Sequence, residues 1–267
     1  MKNDTVRKLL AINERFYTEH AHAFDRTRRA PWPGFERVID RLDALHPTRA
    51  SAEAPLHVLD VGCGNGRFAH AVFARHPTAH YVGLDTSPSL LAAAALALKP
   101  DIAQGRVHLD HANIIDKDAW SRLGEHAFDL IVLFGILHHI PEFDTRLKLM
   151  RRAAERLAPG GVLALSFWAF DAQRAKPLEI DAHDIDPDDL EPGDVLLPWD
   201  VDGAHRYCHL ADETEIDRVA EALARCGLQS LDRFRSDGRS GDANTYLLLS
   251  TGRGEGLADA HYDGRNL

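Results

Sequence analysis

At 267 residues and 45% hydrophobic side chains, the chain suffices for one large domain or two small ones with a substantial core. No apolar run approaches the ~20 residues of a bilayer-spanning helix, the charged start Met1-Lys2-Asn3-Asp4 has no signal-peptide stretch, and Cys63, Cys208 and Cys226 make no CxxC or ligand spacing; no membrane partner, a cytoplasmic location and no metal site are expected. The 41 acidic against 31 basic side chains, a net charge of -10, disfavour a polyanion partner, although residues 1–41 carry nine Lys or Arg against six acids while 178–194 carry eight acids and no Lys or Arg.

Apolar residues at Val6, Leu9, Leu10, Phe16, Tyr17 and Phe24 fall near a 3.6-residue period and predict an amphipathic helix lying on the main body. Pro31-Trp32-Pro33 breaks it, and Phe35, Val38, Ile39, Leu42 and Leu45 predict a second helix ending near Pro47, with 48–55 as a linker. Short apolar runs then alternate with helical patterns. Strands are predicted at 56–61, 79–84, 107–109, 130–134 and 162–167, with helices at 67–75, 89–98 and 145–157 between them. That alternation is the signature of an α/β fold with a parallel sheet covered by helices on both faces. Residues 171–214, rich in Asp and Pro, read as an insertion without regular structure. A helix over 215–226, stopped by Gly227, and strands at 228–234 and 245–250 complete the pattern.

Val58-Leu59-Asp60-Val61-Gly62-Cys63-Gly64-Asn65-Gly66 carries the chemistry. A chain passing directly from a buried strand into a helix needs residues that tolerate positive φ and leave the backbone open to a ligand, and the glycines supply both. The G-x-G-x-G spacing, with Asp60 two positions before the first glycine, favours a cationic, amino-acid-bearing ligand over a dinucleotide. Asp85, nineteen residues after Gly66 and at the end of the next predicted strand, suits a ribose diol. Asp85-Thr86-Ser87-Pro88 also has the composition of a helix cap. Asn113, at the end of the third strand, suits either an adenine edge or a plain turn. Phe134-Gly135-Ile136-Leu137-His138-His139 ends the fourth strand, where open α/β sheets place ligands; a loop-capping role for either histidine stays equally open.

The segment 58–168, including Phe128-Asp129-Leu130 and Leu157-Ala158-Pro159-Gly160-Gly161, resembles the class I S-adenosylmethionine-dependent methyltransferases. The resemblance implies a Rossmann-like fold, a mostly parallel seven-stranded sheet with an antiparallel last strand, and S-adenosylmethionine held by Arg28, Asp60, Gly62, Cys63, Gly64, Asp85, Thr86, Asn113 and Phe134. Residues 1–50 are then a helical segment covering the cofactor cleft, 51–252 the core with its insertion at 171–214, and 253–267 a flexible tail. Asn13, Phe16-Tyr17, Thr27-Arg28 and Pro31-Trp32-Pro33 upstream, with Asp194-Val195-Leu196-Leu197-Pro198-Trp199 and Arg206-Tyr207-Cys208-His209-Leu210 downstream, look like the tRNA wobble-uridine carboxymethyl methyltransferases. This implies the carboxylate of 5-carboxymethyluridine in tRNA as acceptor and a small activator protein as partner. Cys208 stands where that pattern expects a second tyrosine.

A carboxylate, with a reference pKa close to ~4, needs no general base; it needs a clamp. Arg206 is the candidate clamp, since a guanidinium holds a carboxylate through two parallel hydrogen bonds, with His209 as its neighbour and His138 as a further substrate contact. Arg206 has a competing reading as an ion-pair partner of Asp200 or Asp202. Esterification of tRNA is the leading expectation, against a small-molecule carboxyl or hydroxyl methyltransferase and a non-catalytic cofactor-binding subunit. If the flanking motifs form the acceptor site, 27–33 and 194–210 should converge over the glycine turn.

Overall fold

In a computed structural model of the chain, the described residues are 1–26, 31–46, 55–169, 184–198 and 204–252. Strands β1 (His57–Val61), β2 (His80–Asp85), β3 (Val107–His111), β4 (Phe128–Leu133), β5 (Leu157–Trp168), β8 (Leu228–Ser236) and β9 (Asn244–Thr251) form one sheet in the order β3-β2-β1-β4-β5-β9-β8. The first five are mutually parallel, and β9 runs antiparallel between β5 and β8. This is a Rossmann-like sheet with an antiparallel last strand. The order reverses at β1, so a crevice opens between the carboxyl ends of β1 and β4.

The core lies on both sheet faces. In β4 every residue is buried, as expected of a strand covered twice. Leu130 and Val132 face one apolar cluster with Phe35, Val38 and Phe68 of α2 (Pro33–Leu45) and α3 (Arg67–Arg75). Ile131 and Leu133 face the other, with Leu147 and Met150 of α7 (Phe143–Ala154) and Val219 and Leu223 of α8 (Glu213–Ala224). Ser87 caps α4 (Pro88–Ala97) by accepting from Leu90 N, and Asp212 caps α8 by accepting from Glu215 N at 2.7 Å. Short helices α5 (Lys99–Ala103) and α6 (Lys117–Ser121) complete these layers.

Two features depart from the sequence pattern. The helix expected over 145–157 ends at Ala154, and β5 starts at Leu157, earlier than expected, because Gly160 takes a positive φ of 73° and the β4–β5 register shifts there. The stretch expected to be irregular contains β6 (Asp194–Pro198) and β7 (His205–His209), paired antiparallel as a separate two-stranded ribbon. Helix α1 (Asn3–Arg26) packs on this ribbon, with Leu9 against Ile185, Leu196 and Tyr207. Charge reinforces the contact: Lys2 pairs with Asp186 at 2.8 Å, Lys8 with Asp184 at 2.9 Å, and Thr5 donates to Asp189 at 2.7 Å. Basic N-terminal residues and acidic segment thus neutralise one another. The expected linker at 48–55, Pro55 apart, and the expected tail at 253–267 lie outside the described residues. Among those described, no helix is long and apolar enough to cross a membrane.

Candidate functional site

A cavity of about 720 Å³ opens at the carboxyl ends of β1, β2 and β4, within the ~300–1,000 Å³ typical of ligand sites. Its floor is the glycine turn. Gly62 N and Cys63 N donate to Leu84 O at 2.8 and 3.0 Å, tying the turn to β2. Gly62 has a φ of 83°, and a β-carbon there would lie 3.0 Å from Ile136, so neither conformation nor space admits a side chain. Gly66, at φ 78°, starts α3 in the left-handed region.

Two carboxyl groups, buried Asp60 and half-buried Asp85, mark this floor. Asp85 accepts from Gly64 N and Ser87 N, both at 2.8 Å, so its orientation is fixed by backbone. Burial raises its pKa, against the pull of those hydrogen bonds. Asp60 is 3% exposed and accepts from the Tyr81 hydroxyl. Burial pushes its carboxyl up to about 7; the Tyr81 hydrogen bond and the Arg67 charge pull the other way.

Asp60, Gly62, Cys63, Gly64, Asp85, Thr86, Asn113, Phe134, His138 and Arg206 all line this cavity. Asn113 Oδ1 also accepts from Ile115 N at 3.2 Å, so it shapes the turn after β3 as well. Phe134 is wedged among Phe35, Phe68 and Tyr246 and stiffens the β4 end. Arg28 lies outside the described residues, as do Asp200 and Asp202. Trp32 and Arg206 converge on the cavity that has Gly62 and Gly64 in its wall.

His209 is a correction. It does not line the cavity with Arg206: an offset of three residues along β7 puts the two side chains on opposite faces. His209 is 2% exposed, its Nδ1 2.8 Å from Asp194 and its Nε2 2.7 Å from Glu215.

Arg206, 6% exposed, lies with its guanidinium 5.0 Å from the Trp168 ring centroid and 5.5 Å from that of Phe16. His138 also stacks on Trp168, its ring centroid 4.1 Å away and the rings 5° from parallel. Helix α1 roofs the site through Leu10, Asn13, Glu14, Tyr17 and Thr18. It is latched by His139, whose Nδ1 lies 3.2 Å from the Tyr207 carbonyl and Nε2 2.7 Å from the Tyr17 hydroxyl. A carbonyl only accepts, which suits a proton on Nδ1 with Nε2 accepting from Tyr17, while the Asn13 amide nitrogen, a donor only, also lies 3.4 Å from Nδ1. Both ring nitrogens are thereby committed, and burial pushes the nearby Cys208 thiol up to about 12. His138, His139 and Cys208 lie close together, but a protonated thiol and an engaged imidazole are a poor ligand set for an ion.

Arg67, not among the candidate residues named from the sequence, also lines the cavity, its guanidinium 4.4 Å from the Trp32 ring centroid. A signal was available. A cation in the first turn of a helix opposes the macrodipole, and such a local conflict points to a ligand-related role.

Residues 59–163 match the family model described as a methyltransferase domain. Trans-aconitate 2-methyltransferase of Methylobacterium radiotolerans is 38% identical over 131 residues, covering 49% of this chain and 45% of that protein; the chain thus spans less than half the length of this relative. The tRNA (carboxymethyluridine(34)-5-O)-methyltransferase of Schizosaccharomyces pombe is 23% identical over 193 residues, 72% of this chain and 68% of that protein. The Burkholderia thailandensis 1,6-didemethyltoxoflavin-N1-methyltransferase, solved with bound 1,6-didemethyltoxoflavin and S-adenosylhomocysteine, aligns over 92% of this chain and 90% of its own at a TM-score of 0.59 and 19% identity. At that identity the likeness is one of fold.

Proposed function

From the match of residues 59–163 to a methyltransferase-domain model and the Rossmann-like sheet that carries them, we propose that the chain is a class I S-adenosylmethionine-dependent methyltransferase that esterifies a carboxylate on a small-molecule acceptor. The observation that carries this reading is the Arg206 guanidinium set among aromatic rings in the cavity wall. A cation there attracts an anionic acceptor, and its planar fork matches a carboxylate.

The residues present fit the cofactor. Asp85 would take the ribose diol, Asp60 the ammonium end, Thr86 and Asn113 the nucleoside side, and the backbone of Gly62, Cys63 and Gly64 would pass beneath, with Phe134 as a rigid wall. Arg28 is assigned the cofactor's carboxylate. When bound, S-adenosylmethionine supplies a sulfonium methyl, an electrophile for in-line displacement. The carboxylate acceptor is ionised at neutral pH, so the chain need only align and desolvate it, effects worth ~7–11 kcal/mol for well-oriented reactants. Arg206 aligns the acceptor; Phe16, Trp168 and His138 exclude water around it.

Surface charge favours a small acceptor. Arg37 and Arg41 pair with Asp232, Arg75 with Asp40 and Lys2 and Lys8 with the acidic segment, so binding phosphates would require these cations to leave their acids. The relative named for trans-aconitate, a polycarboxylate, agrees with this. Esterification of carboxymethyluridine in tRNA is the second reading. The extent of similarity to the fission-yeast enzyme favours it, as does the convergence of Trp32 and Arg206 over the glycine turn. The test supplies radiolabelled S-adenosylmethionine with either a panel of small di- and tricarboxylates or bulk tRNA, each with and without cell extract as a source of an activator protein. Label in the carboxylate panel supports the first reading. Label confined to tRNA overturns it in favour of the second.

A further inference from the structure

The β6–β7 ribbon that presents Arg206 makes no backbone pairing with the seven-stranded sheet. Among the described residues its contacts with the body run through side chains, including the His139 ring that reaches the Tyr207 carbonyl. On one side are the apolar contacts with α1; on the other is a buried cluster of charge. There Arg146 of α7, 2% exposed, reaches Glu191 at 2.9 Å, Glu215 of α8 at 2.8 Å and His209 Nε2 of β7 at 3.0 Å. His209 bridges Asp194 of β6 and Glu215, and the Tyr207 hydroxyl donates to Asp194 at 2.6 Å. Three carboxylates therefore face one arginine, and a proton on His209 brings the cluster's net charge from -2 to -1.

We propose that His209, with Arg146, Asp194 and Glu215, is a positioning group: its protonated form docks the ribbon onto α7 and α8 and so holds Arg206 in the cavity wall. This rests on the reading of Arg206 as the carboxylate clamp. The charge transfers directly to geometry because Arg206 and His209 share a five-residue strand, one on each face.

The pH dependence has a definite sign. Burial and the neighbouring Arg146 charge oppose the imidazolium, but the hydrogen bonds to Asp194 and Glu215, with the Glu215 charge, outweigh them, and the pKa of His209 is raised. Its contribution to docking is complete below the unfolded value and is lost as pH rises through the raised, folded value. Burial likewise opposes ionised Glu215, but His209 and Arg146 prevail and its pKa is lowered. Its contribution is lost as pH falls through that lowered value. The ribbon is thus docked in a window closed above by His209 and below by Glu215.

Hydrogen–deuterium exchange of the full chain tests this without acceptor or cofactor, so a failure of the Arg206 reading, which shows only in methylation, stays distinguishable. Exchange in 194–198 and 205–209 is followed from about pH 5 to about pH 9, corrected for intrinsic rates and referenced to β1 and β4. Protection of the ribbon should fall by about tenfold as His209 loses its proton, while β1 and β4 stay constant. In His209→Gln the fall should vanish; in Glu215→Gln, which retains the imidazole with one acid fewer, it should move to lower pH. A flat wild-type profile, a fall shared by β1 and β4, or an undiminished fall in a folded His209→Gln overturns the proposal. If His209→Gln does not fold, the wild-type profile and an unshifted transition in Glu215→Gln retain that power.

Discussion

The half of the cavity proposed to hold the cofactor and the half proposed to hold the acceptor are built on opposite principles. At the floor, Asp60 and Asp85 sit at the ends of β1 and β2, strands of a twice-covered sheet, and Asp85 is fixed by two backbone N–H donors. Above it, Arg206 sits on a two-stranded ribbon tied down by side chains, beneath a helix latched through Tyr17 and His139. The floor is rigid because backbone ladders specify it. The upper half depends on packing and charge, which makes it the part best suited to accommodate different acceptors on one floor.

Substitutions that separate the halves sharpen this contrast. Arg206→Met should lower kcat/KM for the acceptor by ~30- to ~5,000-fold, equivalent to the ~2–5 kcal/mol of a buried charged contact, and leave cofactor affinity by calorimetry unchanged. A parallel loss of cofactor binding would dissolve the division. Asp85→Ala should act in the reverse sense, weakening cofactor binding by ~10–100-fold through loss of ~1.5–3 kcal/mol of charged hydrogen bonds; undiminished affinity would remove Asp85 from the cofactor site.

A subtler mark of the floor lies in pH. Asp60 must be ionised to attract the cofactor's cationic end, and burial holds its carboxyl near about 7. Cofactor affinity should therefore fall by about tenfold for each pH unit below that value and level off above it. Because the folded value is raised, ionised Asp60 destabilises the free protein as pH rises from the unfolded value toward about 7, and Asp60→Asn should relieve that cost along with the pH dependence of binding. An unchanged binding profile in Asp60→Asn would assign the titration elsewhere. The smallest effect is Gly66→Ala. With φ at 78° and Leu98 Cδ1 3.0 Å from the new β-carbon, it should cost ~1–2 kcal/mol in denaturant unfolding.

The same division explains what the sequence disclosed. The parallel strands are legible because apolar runs such as that of β4 stand between turn signals, and the glycine turn because its φ values restrict residue type. The ribbon is not: β6 and β7 are five residues each, and their pairing is non-local, joining Asp194 to His209. Once that stretch was read as irregular, Arg206 and His209 looked like neighbours, whereas a strand's two-residue alternation separates them. His209 instead joined Arg146, a partner 63 residues away that no local pattern announces. Arg206, Asp60 and Asp85 did reach the cavity, since the ends of sheet strands and the segments crossing over them share one crevice.

The central claim, that the methyl group goes to a carboxylate oxygen, has a direct chemical readout. Product formed with methyl-labelled S-adenosylmethionine and the accepting compound is exposed to mild alkali and the volatile label collected. A carboxylate ester releases its label as methanol, and Arg206→Met gives little product to hydrolyse. Label that withstands alkali marks an ether or amine and contradicts the account.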